Sequence, residues 1–495
     1  MAEPQAQVNG LADLLDTHLE WLVIRENGRS LPFLRSEIEV YNSNGKTTIG
    51  FVDEKGLAAW RVEQAEIDGV EIVARLSSKI RNESESIRFV PRESAADLRA
   101  NIELARLKKA NEIADIFATS EPGTKIIRVS LNVENGRIAQ IEIESREKIR
   151  SALMADVTTS LTHESLLATA MKWQDNLLMR RKNPIRNVAI IAEKRPARNL
   201  QKLLALLNKG ASASISIFEI DRKGSSPIAK ELRRLKMSDL WRERATKLRI
   251  PESIEATETA RKIVEMSPDK IDRIVSKNGE TLRFLGMPFA RVRRLMGREK
   301  AWFGTGQIRR PANESAKGAF RELRDALDLY RRSDPPSKRH DWYRLASEAW
   351  LESILRRNIA LLDPNLILSP IYNQFRSSND KIDLLAIRKD GRLVVIEIKT
   401  SPDRDMVLQA ADYWRKIELQ RRRGILAEAR LFGDVEIIDK PALIYAVAPA
   451  LSFHYDFEYF ARTLAPEIEL WRWELHENWR ESIKVVARRE YSGRY

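Results

Sequence analysis

The chain has 495 residues, and its 85 lysines and arginines against 71 aspartates and glutamates give a formal net charge of +14 at pH 7. The absence of cysteine excludes disulfides, zinc–thiolate sites, iron–sulfur clusters and thiol nucleophiles, and it predicts a cytoplasmic protein. The first ten residues lack the order of a signal peptide, and no apolar run reaches the about 18 residues that span a bilayer. The basic balance suits a chain that neutralises phosphates, although a basic protein that is only soluble has the same totals.

The first 92 residues predict a small β-rich module. Residues 11–26 have a helical period, and strands are expected at 37–41, 47–52 and 70–76, separated by Asn-Gly, Lys-Gly and Asp-Gly turns. No motif in this module indicates a chemical role.

Residues 93–225 predict a degenerate copy of the C-terminal domain. Residues 127–144 align without a gap on residues 382–399, with six of eighteen positions identical. The order of elements after this stretch also repeats. A helix, a strand (188–192), a helix (199–207) and a strand (214–220) follow it, and the same order occurs in the helix 406–420, the strand 442–447, the helix 457–464 and the strand 468–475. We interpret this as an internal duplication, and convergence between two similar hairpins is the alternative. In this copy Arg128 and Glu144 replace the first acid and the lysine, so Arg128 should pair directly with Glu142 and no cation is needed.

Residues 226–340 predict a basic, mostly helical connector. Arginine clusters and aromatic residues lie close together there, and they could follow a phosphate backbone while bases stack on the rings. The alternative is a solvated charged face over an aromatic core. The run Asp334–Lys338 indicates a linker, and it places the next boundary near residue 340. The residues concerned are Arg233, Arg234, Arg291, Arg293, Arg294, Arg309, Arg310, Arg331 and Arg332, with Phe289, Trp302, Phe303 and Phe320.

Two apolar strands joined by Lys389-Asp390-Gly391 carry the most informative pattern in the chain. Asp-Gly between alternating apolar runs is typical of a hairpin, and a three-residue loop puts glycine where a positive φ is needed. The register counted outward from this loop sets Asp383 opposite Glu397, and Lys399 shares their face. A two-residue loop would instead send Asp383 to the other face.

Two carboxylates that face each other on a buried sheet resist joint ionisation unless a cation lies between them. Mg²⁺, or Mn²⁺ in its place, takes oxygen ligands and keeps several waters that could attack a phosphodiester. Lys399 could orient or deprotonate the attacking water, or offset charge on the phosphate. The alternative is an exposed sheet whose polar face carries a simple ladder of charges.

Two helices flank this hairpin, and with it they complete a set of motifs. The set comprises Leu-Glu-Ser-Ile-Leu around Glu352, a turn near Asn365, Gln374, Ile-Asp-Leu-Leu, Asp-Gly-Arg-Leu-Val-Val-Ile-Glu-Ile-Lys, and Gln409-x3-Tyr413. In this order the motifs resemble the PD-(D/E)xK, or restriction-endonuclease-like, superfamily over about residues 341–450. The likeness is nearest to NucS-type endonucleases, and the Gln-x3-Tyr helix is shared with RecB-like nucleases.

The resemblance implies a role for each motif residue. Asp383, Glu397 and the backbone carbonyl of Ile398 would hold the metal, and Lys399 would serve catalysis. Glu352 would be the helix acid that completes the site, with Glu348, one turn away, as the other candidate. Gln409 and Tyr413 would position nucleic acid or brace the lysine. The family's proline before the first acid is absent, because Ile382 stands there.

These observations predict a mixed α/β protein with four parts: a β-rich module (1–92), a degenerate nuclease-like domain (93–225), a basic helical connector (226–340) and a PD-(D/E)xK nuclease domain (341–495). The expected activity is metal-dependent endonucleolytic hydrolysis in repair or defence, with DNA favoured over RNA and no membrane partner. A homodimer would suit a duplex substrate. The alternative is a noncatalytic nucleic-acid-binding or regulatory protein built on nuclease-like scaffolds.

Overall fold

A computed structural model describes residues 10–43, 46–53, 56–68, 70–78, 83–92, 95–224, 226–245, 255–276, 279–295, 298–305, 309–369 and 383–491. These residues combine helices with four β-sheets, which confirms the predicted mixed α/β class. The chain divides into two compact units, residues 1–200 with 214–233 and residues 201–213 with 234–495. Within the described ranges, no helix is both long enough and apolar enough to cross a lipid bilayer.

The first sheet is a seven-stranded antiparallel sheet with strand order β2-β1-β7-β6-β5-β4-β3. Its elements are α1 (Leu11–Leu15), β1 (Glu20–Arg25), β2 (Ser30–Leu34), β3 (Glu39–Ser43), β4 (Lys46–Asp53), β5 (Gly56–Asp68), β6 (Glu71–Ser78) and β7 (Glu83–Pro91). The predicted helix over residues 11–26 is wrong, because the helix ends at Leu15 and a strand follows. Residues Trp21–Ile24 are buried on both faces of that strand, so they lack the polar alternation that marks a strand in sequence.

The second sheet has six strands in the order β13-β12-β11-β10-β9-β8. Strands β10, β11 and β12 are parallel, and the other neighbours are antiparallel. The elements are α2 (Ala95–Ser120), β8 (Lys125–Leu131), β9 (Ile138–Glu144), β10 (Arg150–Asp156), α3 (His163–Leu178), β11 (Val188–Glu193), α4 (Lys194–Leu204), α5 (Lys209–Ser212), β12 (Ile215–Asp221) and β13 (Ile228–Glu231).

The third sheet lies in the second unit and consists of five antiparallel strands in the order β14-β15-β16-β17-β18. The elements are α6 (Met237–Leu240), α7 (Glu258–Glu265), β14 (Ile271–Ser276), β15 (Gly279–Phe284), β16 (Met287–Leu295), β17 (Arg298–Phe303), β18 (Arg310–Pro311), α8 (Lys317–Tyr330) and α9 (Asp341–Arg344). The prediction of a mostly helical connector is therefore wrong. Val292 is buried between the half-buried Arg291 and Arg293, and this alternation is typical of a strand.

The fourth sheet has six strands in the order β19-β20-β21-β22-β23-β24, and β21, β22 and β23 are parallel. The elements are α10 (Ser347–Arg357), β19 (Leu366–Leu368), β20 (Leu384–Arg388), β21 (Leu393–Ile398), α11 (Met406–Arg422), α12 (Ile425–Glu428), β22 (Leu443–Pro449), α13 (Phe457–Thr463), β23 (Glu469–Leu475) and β24 (Val485–Tyr491). Every residue of β21 and β22 is buried, as expected for central parallel strands covered on both faces.

The second and fourth sheets have the same strand order and the same strand directions. This topology matches β8 to β19 and β9 to β20, so the ungapped alignment of residues 127–144 with 382–399 is displaced by one strand. The predicted pairing of Arg128 opposite Glu142 is present in the β8–β9 register. However, the ion pair on Glu142 comes from Arg180, whose Nη1 lies 2.8 Å from its Oε1.

The third and fourth sheets share one hydrophobic core. Phe284 and Phe320 on one side and Trp350 and Trp473 on the other belong to a single cluster of buried side chains. Residues on both sides of the predicted boundary at 340 therefore contribute to the same core. The division into four parts otherwise stays a prediction.

Arg331 fixes the polypeptide around this shared core. Its guanidinium is fully buried, lies 4.7 Å from the centre of the Trp350 ring, and donates hydrogen bonds only to backbone carbonyls among its described contacts. The accepting carbonyls belong to Phe284, Leu285, Trp342, Leu345 and Ala346. The β15–β16 turn and the segment that leads into α10 are thereby joined through one side chain.

Candidate active site

The β20–β21 hairpin has the three-residue loop that the sequence predicts. The backbone N–H of Arg388 donates to the carbonyl of Arg392 at 2.8 Å, and the N–H of Gly391 donates to the carbonyl of Arg388 at 2.8 Å. Gly391 has a φ of +88°, and a Cβ there would lie 2.6 Å from the carbonyl oxygen of Glu436, so glycine is required twice over. Leu384 pairs with Ile396, which confirms the predicted register.

The same register brings Asp383 to the end of β21. Asp383 directly precedes β20, and continuation of the ladder places it opposite Glu397. Its Oδ2 accepts a hydrogen bond of 2.8 Å from the backbone N–H of Ile398. Asp383, Glu397 and Ile398 therefore meet where β20 begins and β21 ends.

Glu397 is a buried acid whose side chain is only half satisfied. The residue is 3% exposed, and its Oε1 lies 3.2 Å from the Nζ of Lys399. Its Oε2 is buried, and no hydrogen-bond partner reaches it from the described chain. Burial, the negative charge of Asp383 and that of Glu348 raise the pKa of Glu397 well above its usual 4.5, against the opposing effect of Lys399. A divalent cation would satisfy the orphaned oxygen and remove the repulsion, so this donor set fits Mg²⁺ or Mn²⁺.

Lys399 is held as a cation by several carboxylates. Its Nζ lies 3.2 Å from the Oε1 of Glu397 and 3.1 Å from the Oδ2 of Asp403. Burial alone would lower the pKa of Lys399, but the charges of Glu397, Asp403 and Glu348 outweigh burial and raise it above 10.5. At neutral pH the lysine therefore carries a positive charge and donates hydrogen bonds. Of its predicted roles, deprotonation of water is disfavoured, because a protonated amine cannot accept a proton.

The two acids of helix α10, Glu348 and Glu352, have different surroundings. The charge of Glu348 acts on both Glu397 and Lys399. Glu352 is instead engaged by Arg283, 3.3 Å away on β15, and by Arg356, 3.8 Å away. These ion pairs favour Glu348 over Glu352 as the helix acid of the site, and the role of each acid stays a prediction.

Short hydrogen bonds tie three segments together beside the lysine. The hydroxyls of Ser347, at the start of α10, and Thr400, just after β21, lie 2.5 Å apart. The hydroxyl of Ser452, after β22, donates to the carbonyl of Thr400 at 3.1 Å. These contacts and Asp403 were not marked by any motif, since each depends on where separate segments meet.

The remaining motif residues lie on α11 or near the hairpin. Gln409 and Tyr413 are both half-buried on α11, and Lys416 lies 5.4 Å from the ring centre of Tyr413, so their roles stay predictions. Asn365 accepts a hydrogen bond of 2.9 Å at its carbonyl from the backbone of Lys389, which fixes its turn against the hairpin loop. Gln374 and Ile382 lie outside the described residues.

Comparison with known proteins adds little to this geometry. No protein-family model matches the sequence, and no curated protein matches it. A solved structure described as "Structure of EndoMS in apo form" matches with 13% identity over 44% of this chain and 93% of its own length, at a TM-score of 0.17. A match this loose carries no argument about function, so a function for this chain must be argued from the site residues alone.

Proposed function

We propose that the chain is a metal-dependent nuclease whose active site is built on the β20–β21 hairpin. The observation that carries the proposal is the buried Oε2 of Glu397, which has no hydrogen-bond partner among the described residues, on a residue opposite Asp383 and next to a lysine held in its charged form. Asp383, Glu397 and the carbonyl of Ile398 would hold Mg²⁺ or Mn²⁺. When bound, the metal supplies a water of lowered pKa and a Lewis acid at the phosphate.

The protein's own groups would orient the reaction. Lys399 would donate to a non-bridging phosphate oxygen and offset the negative charge that grows there in the transition state. Glu348 would accept a hydrogen bond from the attacking water, and the effect of its charge on both Glu397 and Lys399 supports this role. The ties from Ser347 and Ser452 to Thr400 hold these groups in place, and precise placement is worth several kcal/mol in such reactions.

A polyanionic substrate is supported by an arginine-rich face of the third sheet. Partial burial and the positive charges of Arg293 and Arg309 lower the pKa of Arg291. The Nε atoms of Arg291 and Arg293 are buried, and neither has a hydrogen-bond partner in the described chain. Trp302, half-buried, pairs across the ladder with Arg291, and Lys300 pairs with Arg293. Mutually repelling arginines beside an accessible ring suit phosphates and bases, so we propose nucleic acid, with DNA favoured, as the substrate.

The first experiment compares cleavage of supercoiled and linear duplex DNA, single-stranded DNA and RNA in Mg²⁺, Mn²⁺ or EDTA. Asp383→Asn and Lys399→Met should each lower the cleavage rate by a factor on the order of 10² or more, the scale of losing one transition-state contact. Asp434→Asn and Lys440→Met, at exposed positions between α12 and β22, should retain the wild-type rate. Wild-type rates in Asp383→Asn and Lys399→Met would refute the mechanism. Binding without cutting would favour the noncatalytic alternative.

A second experiment separates the two acids of α10. Glu348→Gln should lower the cleavage rate while leaving the melting temperature close to that of the wild type. Glu352→Gln should instead lower the melting temperature, because Arg283 and Arg356 lose a buried counter-charge. Equal losses of rate at equal stability would show that both acids serve the site. A role in repair or defence and assembly as a homodimer remain part of the proposal.

A further inference from the structure

The two six-stranded sheets correspond residue by residue at the hairpin that carries the site. In the second sheet, the N–H of Ser145 donates to the carbonyl of Ile149 at 2.9 Å and the N–H of Lys148 donates to the carbonyl of Ser145 at 2.9 Å. The β20–β21 loop makes the same two bonds between Arg388, Gly391 and Arg392. Lys148 even has a positive φ of 61°, where Gly391 has 88°. The two loops are therefore of one type and equal length.

In both sheets the second strand of the hairpin pairs with a parallel strand. Glu397 pairs with Ala446 on β22, and counting equally far from the loop reaches Met154, which pairs with Ile190 on β11. Because the two hairpins agree in loop type and in antiparallel register, positions equally far from the loop are equivalent along the whole hairpin. Gln140 then stands in the place of Asp383, Met154 in that of Glu397, and Asp156 in that of Lys399.

The second sheet cannot assemble the same site. Gln140 and Met154 carry no charge, and Met154 is completely buried, so neither acid of the metal site is present. The lysine position holds an acid that is already satisfied. The Oδ1 of Asp156 accepts hydrogen bonds of 2.7 Å from both the N–H and the hydroxyl of Thr158, and its Oδ2 accepts one of 2.9 Å from the N–H of Leu161. These bonds hold the loop after β10, which gives Asp156 a structural role.

We infer that each chain carries one competent and one blank copy of the same sheet, and therefore breaks a single phosphodiester bond in each encounter with a duplex. This inference rests on the proposed nuclease function. One water adds to phosphorus, one phosphorus–oxygen bond breaks, and the water's protons end on the departing oxygen and the solvent. The product from a duplex is a nick, and a double-strand break needs two chains or two successive encounters.

The test uses the full chain on supercoiled plasmid with Mg²⁺ or Mn²⁺, at dilutions where sedimentation shows monomers. Nicked circles should accumulate before any linear plasmid, with an initial rate proportional to enzyme concentration. Linear plasmid as the first product of monomers would overturn the inference while leaving the nuclease function intact. No cleavage of any nucleic acid under these conditions would instead remove the proposed function, and the inference with it.

Two variants locate the cuts. Asp383→Asn should abolish nicking, to less than about 1% of the wild-type rate, because the other copy is blank. Gln140→Ala should nick at the wild-type rate. Nicking that persists in Asp383→Asn and is lost in Asp383→Asn combined with Gln140→Ala would reveal activity in the second sheet and overturn the inference.

Discussion

Replacement of Gly286 by alanine should lower both the free energy of unfolding and the cleavage rate, because this glycine packs directly against the backbone of α10. Gly286 has a φ of +84°, and a Cβ there would lie 2.0 Å from the carbonyl oxygen of Ala349, 2.2 Å from its carbonyl carbon and 2.6 Å from the N of Trp350. All three atoms belong to the helix backbone, which cannot rotate away as a side chain can. The turn or the helix must therefore move by more than about 1 Å to reach an ordinary contact distance.

Two costs add at this position. A left-handed backbone costs a non-glycine residue about 1–2 kcal/mol, and overpacking against a rigid neighbour costs about 1–3 kcal/mol more. Gly433 is the matched control, since its φ is +63° and nothing lies within 4 Å of its added Cβ. Gly286→Ala should therefore lower the free energy of unfolding by about 2–5 kcal/mol, against about 1–2 kcal/mol for Gly433→Ala.

Thermal unfolding followed by tryptophan fluorescence measures this difference, because Trp350 lies on the displaced helix. At about 2–4 °C per kcal/mol, Gly286→Ala should melt several degrees below Gly433→Ala. The cleavage rate of Gly286→Ala should also fall by on the order of 10²-fold, since Glu348 adjoins Ala349 and a shift of about 1 Å is enough for such a loss. Equal melting temperatures for the two variants would show that the turn does not hold α10, and the reasoning would be refuted.

Three further predictions concern buried charge. Arg283→Met should lower the free energy of unfolding by up to about 3–5 kcal/mol in chemical denaturation, because Asp272 and Glu352 lose their nearer counter-charge and keep only the longer ion pairs to Arg356. Arg298→Met, at an exposed position, should change it by less than about 0.5 kcal/mol, and equal effects would contradict the assigned ion pairs. The raised pKa of Glu397 means that its proton must leave before metal binds, so cleavage should rise with pH through that pKa. Higher Mn²⁺ concentration should move the midpoint of the rate profile to lower pH, and a midpoint independent of metal would count against Glu397 as a ligand. The metal-free protein should lose stability as pH rises from the ordinary glutamate pKa through the raised one, since the folded state binds the extra proton.

The geometry of the hairpin could be predicted because it depends on local chemistry. The Asp-Gly turn sets the loop length, the loop sets the register, and the register alone brings Asp383 opposite Glu397. The expectation of a cation between the carboxylates rests on that proximity and stays a prediction. All of these steps use residues within one short stretch of chain.

The errors in the sequence analysis arise where distant contacts decide. Glu348 and Glu352 share one helix face in the sequence, and the ion pair from Arg283, on a strand far upstream, favours Glu348 as the acid of the site. The third sheet was hidden because arginines occupy the outward positions of β16, where they resemble a solvated helix face. The internal alignment slipped by one strand because neighbouring hairpins of one sheet have similar apolar patterns, and only the parallel pairing to β11 and β22 fixes their identity.

The backbone carbonyls that accept hydrogen bonds from Arg331 limit where this protein can be divided into fragments. A fragment that ends in the proline-rich stretch 334–338 would lose the hydrogen bonds from Arg331 to the carbonyls of Trp342 and Leu345. It would also expose apolar side chains of α10 to solvent. A break at this stretch would separate Arg331 from these carbonyls whether it arose by gene recombination or by cloning a fragment. The third sheet, which carries the arginines, and the fourth sheet, which carries the acids, should therefore be kept together in any fragment or chimeric protein.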